Sequence, residues 1–133
     1  MRAADTSVVV AAFASWHSKH GPARSALDEG LRLIEHCALE AYSVLTRLPA
    51  PHRASGEVVR DFLDRRFPQA LLRLSASGGR KFLSGLPEHG IHGGAAYDAL
   101  VAATAAEHGA DLVTCDRRAA PVYKRYGVRP LFL

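Results

Sequence analysis

The segment AAYDALVAATAAEHGADLVTCD, residues 95–116, carries the strongest indication of the fold. An apolar helix from Ala95 to Glu107 is closed by Gly109 and leads into the short apolar run from Asp111 to Thr114. A helix that passes through a glycine into a buried strand is typical of α/β proteins with parallel sheets. Asp98 is the single charge in an otherwise apolar stretch of that helix, so it needs a partner or a proton.

The same alternation of strand and helix extends over the rest of the chain. Short apolar runs predict further strands at residues 3–4, 31–35, 71–74 and 128–132. Helical spacing predicts helices at 8–16, with Thr6 and Ser7 as its cap, and at 22–29, 38–48, 55–67, 81–86 and 119–126. The pattern therefore predicts an α/β fold: a mostly parallel sheet of four to five strands with helices on both faces.

Composition limits the class of protein. The chain has 133 residues, of which 48% are apolar and 23% charged, and a net charge of +4. This size and apolar content favour one compact domain over residues 1–133 and exclude a disordered polyelectrolyte, and no apolar run is long enough for a membrane helix. The slight positive charge permits RNA or DNA as a partner. Cys37 and Cys115 lie far apart without a C-x-x-C motif, so we expect no disulfide framework, no thiolate zinc site and a reducing cytoplasm.

Four carboxylates in apolar surroundings are the candidate functional residues: Asp5, Glu40, Asp98 and Asp116. Each has a purely structural alternative. Asp5 and Asp116 follow strands and would serve as helix N-caps. Glu40, in the first turn of its predicted helix, would favour the helix dipole, and Asp98 would form a buried ion pair with an arginine.

The predicted topology brings all four acids to one edge of the sheet. The carboxyl edge of a parallel sheet is where ligands bind in open α/β folds, which favours a single acidic pocket. Two carboxylates ~5 Å apart repel by roughly 3 kcal/mol at an effective dielectric of about 20, so cations or protons must intervene. Oxygen ligands alone select Mg²⁺ or Mn²⁺ over zinc. The histidines show no metal-binding spacing, and only His36 lies beside the predicted pocket.

Sequence blocks around these acids resemble those of PIN-domain ribonucleases, and among them the VapC toxins of bacterial toxin–antitoxin modules. The similarity spans nearly the whole chain. Its blocks are DTS at residues 5–7, LEAYSVLTRLP at 39–49, AAYDALVAATA at 95–105 and TCDRRA at 114–119.

The resemblance implies a single PIN domain and a metal-dependent endoribonuclease, with the four acids as catalytic and metal-binding residues that activate water against a phosphodiester. It implies Mg²⁺ or Mn²⁺ as cofactor and structured RNA, such as tRNA or rRNA, as substrate. It also implies a VapB-type antitoxin and a homodimer, with the apolar helical face of Val58, Val59, Phe62 and Leu63 as a candidate for the covered surface. Hydroxyls that support the acids correspond to Thr6 or Ser7 and to Thr114.

Basic side chains are the candidates for holding the RNA backbone. Arg117 is the first of them because it follows an acid of the pocket, and the others are Arg47, Arg53, Arg80, Lys81, Lys124 and Arg125.

Two other functions compete with catalysis. A catalytically inert module would keep the pocket and bind an antitoxin peptide or RNA. A phospho-accepting receiver or phosphatase-like domain also has an acidic edge, but the first strand supplies only Asp5 and no D-x-D motif is present.

Overall fold

Four short strands form the centre of the molecule. The computed structural model describes residues 1–133, with strands at Arg2–Ala4 (β1), Arg32–Leu33 (β2), Asp111–Thr114 (β3) and Pro130–Phe132 (β4). All pairings are parallel, and the strand order is β2-β1-β3-β4. The predicted fold class, an α/β protein with a parallel sheet, is confirmed.

Seven helices connect and cover the strands. Their bounds are Thr6–Phe13 (α1), His20–Asp28 (α2), Glu35–Thr46 (α3), Gly56–Arg66 (α4), Ala76–Gly85 (α5), Ala95–Glu107 (α6) and Ala120–Arg125 (α7). Leu112, Val113 and Thr114, successive residues of β3, are all buried. Because successive side chains of a strand point to opposite faces, both faces of the sheet are covered by helices, as predicted.

Small side chains dominate the packing around the central strands. Ala3 and Ala4 of β1 are fully buried, as are Ala11 and Ala12 of α1 and Ala102 of α6. Methyl side chains let helix and strand backbones approach closely, so β1 needs no bulky aliphatic residue to belong to the core.

Strand order places a crevice between β1 and β3. From β1 the chain proceeds to β2 at one edge of the sheet, and from β3 it proceeds to β4 at the opposite edge. The direction of strand order therefore reverses between the neighbours β1 and β3. Ala4 pairs with Val113 near the carboxyl ends of these two strands. In open parallel sheets, the carboxyl ends at such a reversal form the ligand-binding crevice.

Several element predictions were wrong in detail. Residues 71–74 form no strand; Leu72 makes a single parallel bridge to Ile34. The first helix begins at Thr6 and its N-cap is Asp5, not Thr6 or Ser7. Helix α3 begins at Glu35, three residues before its predicted start, which places Glu40 in its second turn rather than its first. The helix-dipole explanation for Glu40 therefore does not hold, because the dipole acts within the first turn.

The apolar face predicted on α4 is only partly in the core. Ser55 caps this helix through Val58 N, and Val59 is fully buried. Phe62 and Leu63 pack against the core from partly buried positions, whereas Val58 is 55% exposed. None of the helices is both long and apolar enough to span a membrane.

Candidate active site

The crevice at the carboxyl edge of the sheet opens into a cavity of about 470 Å³. Its walls come from the β1–α1 junction, from α3 and α6, and from the segment that follows β3. All four carboxylates singled out in the sequence line it: Asp5, Glu40, Asp98 and Asp116. Residues up to 111 positions apart in the chain thus share one surface, because each belongs to an element that ends or begins at this edge.

Asp5 is the most deeply held of the four acids. Its Oδ1 accepts hydrogen bonds from Ser7 Oγ at 2.5 Å and from Val8 N at 3.3 Å, and its Oδ2 accepts one from Tyr123 Oη at 2.9 Å. Burial raises the pKa of Asp5 above its ordinary value, although the hydrogen bonds oppose that shift. Asp5 is therefore an N-cap and a pocket carboxylate at once; the two interpretations do not exclude each other.

Predicted supporting hydroxyls surround Asp5. Ser7 Oγ donates to Asp5 and accepts from Cys115 N at 2.8 Å, which ties the end of β3 to the start of α1. Thr114 Oγ1 accepts from Asp116 N at 2.9 Å, and its hydroxyl also lowers the pKa of Asp5. Thr6 lines the cavity beside them. The hydroxyls of Ser7 and Thr114 therefore orient Asp5 and the backbone at the end of β3, whereas no hydrogen bond joins the Thr6 side chain to an acid.

Asp98 and Asp116 share a cation from the chain itself. The Arg118 guanidinium lies 3.7 Å from Asp98 Oδ2 and 3.2 Å from Asp116 Oδ2. Burial raises the pKa of Asp98; Arg118 opposes this, while the charges of the other three acids add to it. The Arg118 side chain is 77% exposed, so its ion pairs are weak, and the predicted pairing of Asp98 with an arginine is real but only partly compensates the acid.

Glu40 lies at the cavity wall beside His36, one turn earlier on α3. The His36 Nε2 atom is 3.3 Å from Glu40 Oε2, although the geometry does not meet that of a hydrogen bond. The Glu40 side chain is 42% exposed, more than those of Asp98 and Asp116. Glu40 is thus the acid most open to solvent in the cavity.

The donor set of this cavity fits a hard divalent cation. In the described conformation no group of three or more His, Cys, Asp or Glu side chains is close enough to hold one ion, and Arg118 contacts two of the acids instead. The acids nevertheless offer only oxygen donors, which Mg²⁺ and Mn²⁺ prefer. Their mutual repulsion, which contributes to the raised pKa of Asp98, is relieved by added positive charge.

Two residues of the cavity, Tyr123 and Arg118, were not singled out in the sequence, and the predicted Arg117 lies outside the cavity. Tyr123 reaches Asp5 from α7, and nothing in the sequence around a lone tyrosine indicates such a contact. Arg118 lines the cavity, whereas Arg117, the predicted one, lies with its guanidinium 4.3 Å from the centroid of the Phe132 ring. Arg118 could have been found from its position two residues after Asp116, because a turn there brings the backbone back to the acid. In the structure, Asp116 Oδ1 accepts a hydrogen bond from Arg118 N at 2.9 Å.

The remaining basic candidates lie outside the acidic cavity: Arg47, Arg53, Arg80, Lys81, Lys124 and Arg125. Their part in RNA binding stays a prediction.

Comparison with known proteins identifies a protein family and similar proteins. The family model described as PIN domain matches residues 3–125. The chain is 48% identical over 128 residues to a protein named Ribonuclease VapC40 from Mycobacterium tuberculosis, a match that covers 96% of each chain. It is 39% identical over 127 residues to Ribonuclease VapC27 of the same species, covering 95% of this chain and 92% of the relative.

Proposed function

Because the chain belongs to the PIN-domain family and is similar to its VapC ribonucleases over almost its full length, we propose that it is an endoribonuclease that acts at the acidic cavity. The observation that carries the proposal is that Asp5, Glu40, Asp98 and Asp116 line one cavity at the strand-order reversal. Holding four carboxylates close together costs folding free energy when each lacks its own cationic partner. Such a cluster is typical of an active site, where several carboxylate oxygens bind one ion.

Mg²⁺ or Mn²⁺ is the cofactor that the donor set supports, and Asp5, Glu40, Asp98 and Asp116 are the residues that would hold it. When bound, such an ion supplies Lewis-acid chemistry that makes water a nucleophile at neutral pH and offsets charge on a phosphodiester. Hydrogen bonds from Ser7 and Tyr123 hold Asp5 in a fixed orientation, so its carboxylate needs no reorientation before it acts in the cavity.

The other side chains of the cavity divide the remaining tasks. Glu40 is the most exposed acid and has no arginine partner, so it is placed to orient the attacking water or to accept its proton. Arg118 partly compensates the negative charges of Asp98 and Asp116. Its exposed guanidinium is free to turn from these acids to a phosphate oxygen of the RNA, for which a planar fork of donors is well suited.

The finer features of the proposal are expectations from the resemblance. They are structured RNA such as tRNA or rRNA as substrate, cleavage at single-stranded positions, inhibition by a VapB-type antitoxin, assembly as a homodimer and a cytoplasmic location.

Cleavage of RNA by an Asp98→Asn variant tests the proposal. The purified protein should cut cellular RNA in Mg²⁺ or Mn²⁺, and the variant should lose more than ~100-fold in rate, beyond the 10–100-fold effect of removing an outer partner of a metal ligand. Asp111→Asn is the matched control: Asp111 has a similarly exposed side chain paired to Arg129, but it lies outside the cavity. Sequencing of the 5′ ends of the products would identify the target. Cleavage by folded Asp98→Asn at the parent rate would overturn the proposal.

A catalytically inert binding module is the second candidate, and one observation favours it. Arg118 already bridges Asp98 and Asp116, and no three acids are gathered around a single point. Calorimetry with Mg²⁺ and Mn²⁺ separates the two: the ribonuclease should bind at least one of these ions, whereas the inert module should bind neither.

A further inference from the structure

An exposed aromatic ring stands at the rim of the acidic cavity. Tyr97 immediately precedes Asp98 on α6, lines the same cavity as the four acids and is 59% exposed. Its hydroxyl makes no hydrogen bond within the chain, so neither core packing nor a polar contact explains why an aromatic residue occupies this position.

The ring is nevertheless held in a defined plane. His36 of α3 lies parallel to Tyr97, with ring centroids 5.5 Å apart and an angle of 8° between the planes. The His36 side chain is only 20% exposed, so it provides a firm support from the neighbouring helix. A flat, supported and accessible ring beside a reactive site is a surface on which another flat ring can stack.

We propose that Tyr97, supported by His36, is a stacking platform for one nucleobase of single-stranded RNA next to the bond to be cut. The proposal rests on the proposed ribonuclease function. The four acids repel the RNA backbone, and Arg118 is the only arginine or lysine that lines the cavity, so an attraction that does not depend on phosphate would add to RNA binding. Stacking on an aromatic ring supplies it, and because every base has a π-face, it does so with little sequence preference.

A second exposed aromatic pair provides the comparison. Trp16 is 51% exposed and contacts His52, with centroids 4.5 Å apart and planes tilted by 40°. Neither ring lines the acidic cavity. If every exposed aromatic residue next to a histidine bound RNA, replacing Trp16 or Tyr97 would have the same effect on RNA binding. The proposal requires that only the replacement of Tyr97 weakens binding.

Fluorescence of a base analogue tests the platform directly. The probe is a short single-stranded oligouridylate with one central 2-aminopurine, whose emission is quenched when it stacks. It is titrated into Asp98→Asn protein in Mg²⁺, so that binding is read without cleavage. Introducing Tyr97→Leu into the Asp98→Asn protein should weaken probe binding about ten-fold and abolish the quenching, since stacking of one base contributes about 1–3 kcal/mol. Tyr97→Phe should preserve the probe affinity and the quenching. Trp16→Leu should change neither the affinity nor the quenching.

The outcomes keep this proposal separate from the ribonuclease proposal. Binding and quenching that are unchanged by Tyr97→Leu, in protein shown to be folded by circular dichroism, would overturn the platform even if the parent protein cuts RNA. Absence of saturable probe binding would overturn it as well. If the parent protein cuts no RNA but the quenching depends on Tyr97, the ribonuclease proposal fails and the base-stacking surface remains.

Discussion

The Tyr123 hydroxyl donates a hydrogen bond of 2.9 Å to Asp5 Oδ2, a contact between residues 118 positions apart. Tyr123 is 2% exposed and Asp5 3%, so the bond is screened from water. Burial and the adjacent charge of Asp5 raise the pKa of the tyrosine, which therefore stays protonated and remains a donor. Helix α7 thus fixes the orientation of a carboxylate that follows β1.

Tyr123→Phe should weaken metal binding while leaving the fold intact. Removal of the hydroxyl frees Asp5 Oδ2, and loss of a hydrogen bond that orients a ligand reduces metal affinity by about 10–100-fold. A hydrogen bond to a charged group contributes about 1.5–3 kcal/mol, so the free energy of unfolding should fall by about that amount. Calorimetry with Mn²⁺ and urea unfolding measure the two effects.

Tyr126→Phe is the matched control for this variant. The Tyr126 hydroxyl is buried without a hydrogen-bond partner, so its removal should leave Mn²⁺ affinity unchanged and leave stability unchanged or raised. Equal effects of the two substitutions would contradict a specific role for the bond between Tyr123 and Asp5.

Ser7→Ala should disconnect Asp5 from the end of β3. The Ser7 hydroxyl donates to Asp5 and accepts from Cys115 N, so its loss leaves a partly buried N–H without a partner, at a cost of about 1–3 kcal/mol. We expect lower stability together with weaker Mn²⁺ binding, measured by thermal unfolding with and without the ion. Ser25→Ala, an exposed position on α2, should change neither. A Ser7→Ala protein with full Mn²⁺ affinity would show that Tyr123 and the Val8 N–H position Asp5 without Ser7.

The sequence predicted the regular part of the fold well and the contacts between distant residues poorly. Helix α6 and strand β3 were predicted with their observed bounds, because a long apolar helix, a glycine and an apolar run are all local signals. The leucines at 71–74 also have strand periodicity, yet only Leu72 bonds to a neighbouring segment, through Leu33 O and Glu35 N. The alternation of apolar residues in one segment does not show whether the neighbouring strand is long enough to pair with that segment.

The site was predictable to the extent that topology alone determines it. Asp5 and Asp116 follow parallel strands, so their meeting at one edge follows from strand direction. The partners of these acids depend on side-chain directions that the sequence does not specify. Arg117 and Arg118 are adjacent and identical in type, and only the turn after Asp116 decides which of them faces the cavity.

Arg118→Gln should increase the affinity of the cavity for Mg²⁺ or Mn²⁺. The guanidinium competes with an added cation for Asp98 and Asp116, and its removal leaves those acids without positive charge. Exposed ion pairs contribute about 0.2–1 kcal/mol, so we expect the dissociation constant to fall by a factor of about 1.4 to 5. Calorimetry on Arg118→Gln and on the neighbouring Arg117→Gln control would show whether the effect is specific. Weaker binding by Arg118→Gln alone would mean that the arginine supports the ion instead of competing with it.

Stability of the metal-free protein should fall as the pH rises above the ordinary pKa of a carboxyl group. Burial raises the pKa of Asp98 above 3.8, and burial also raises that of Asp5. Between the ordinary and raised values the folded state binds more protons than the unfolded state, so the free energy of unfolding decreases with increasing pH in this interval. The stabilisation is complete below the ordinary value and is lost once the pH passes the raised one.

Asp98→Asn should make this pH dependence shallower, because one of the two groups with a raised pKa is removed while Asp5 remains. Thermal unfolding from about pH 4 to 8 measures the slope, and saturating Mn²⁺ should flatten it in the parent protein more than in the variant, since the ion takes the place of the protons. Asp111→Asn provides a control of opposite sign: Arg129 lowers the pKa of Asp111, so that carboxylate stabilises the fold once it is ionised. Its removal should lower stability across the neutral range without making the slope shallower. Identical slopes for the parent and Asp98→Asn would show that the pKa of Asp98 is not raised in the folded protein. The electrostatic argument for a cation in the cavity would then fail, because burial and not a neighbouring charge raises the pKa of Asp5.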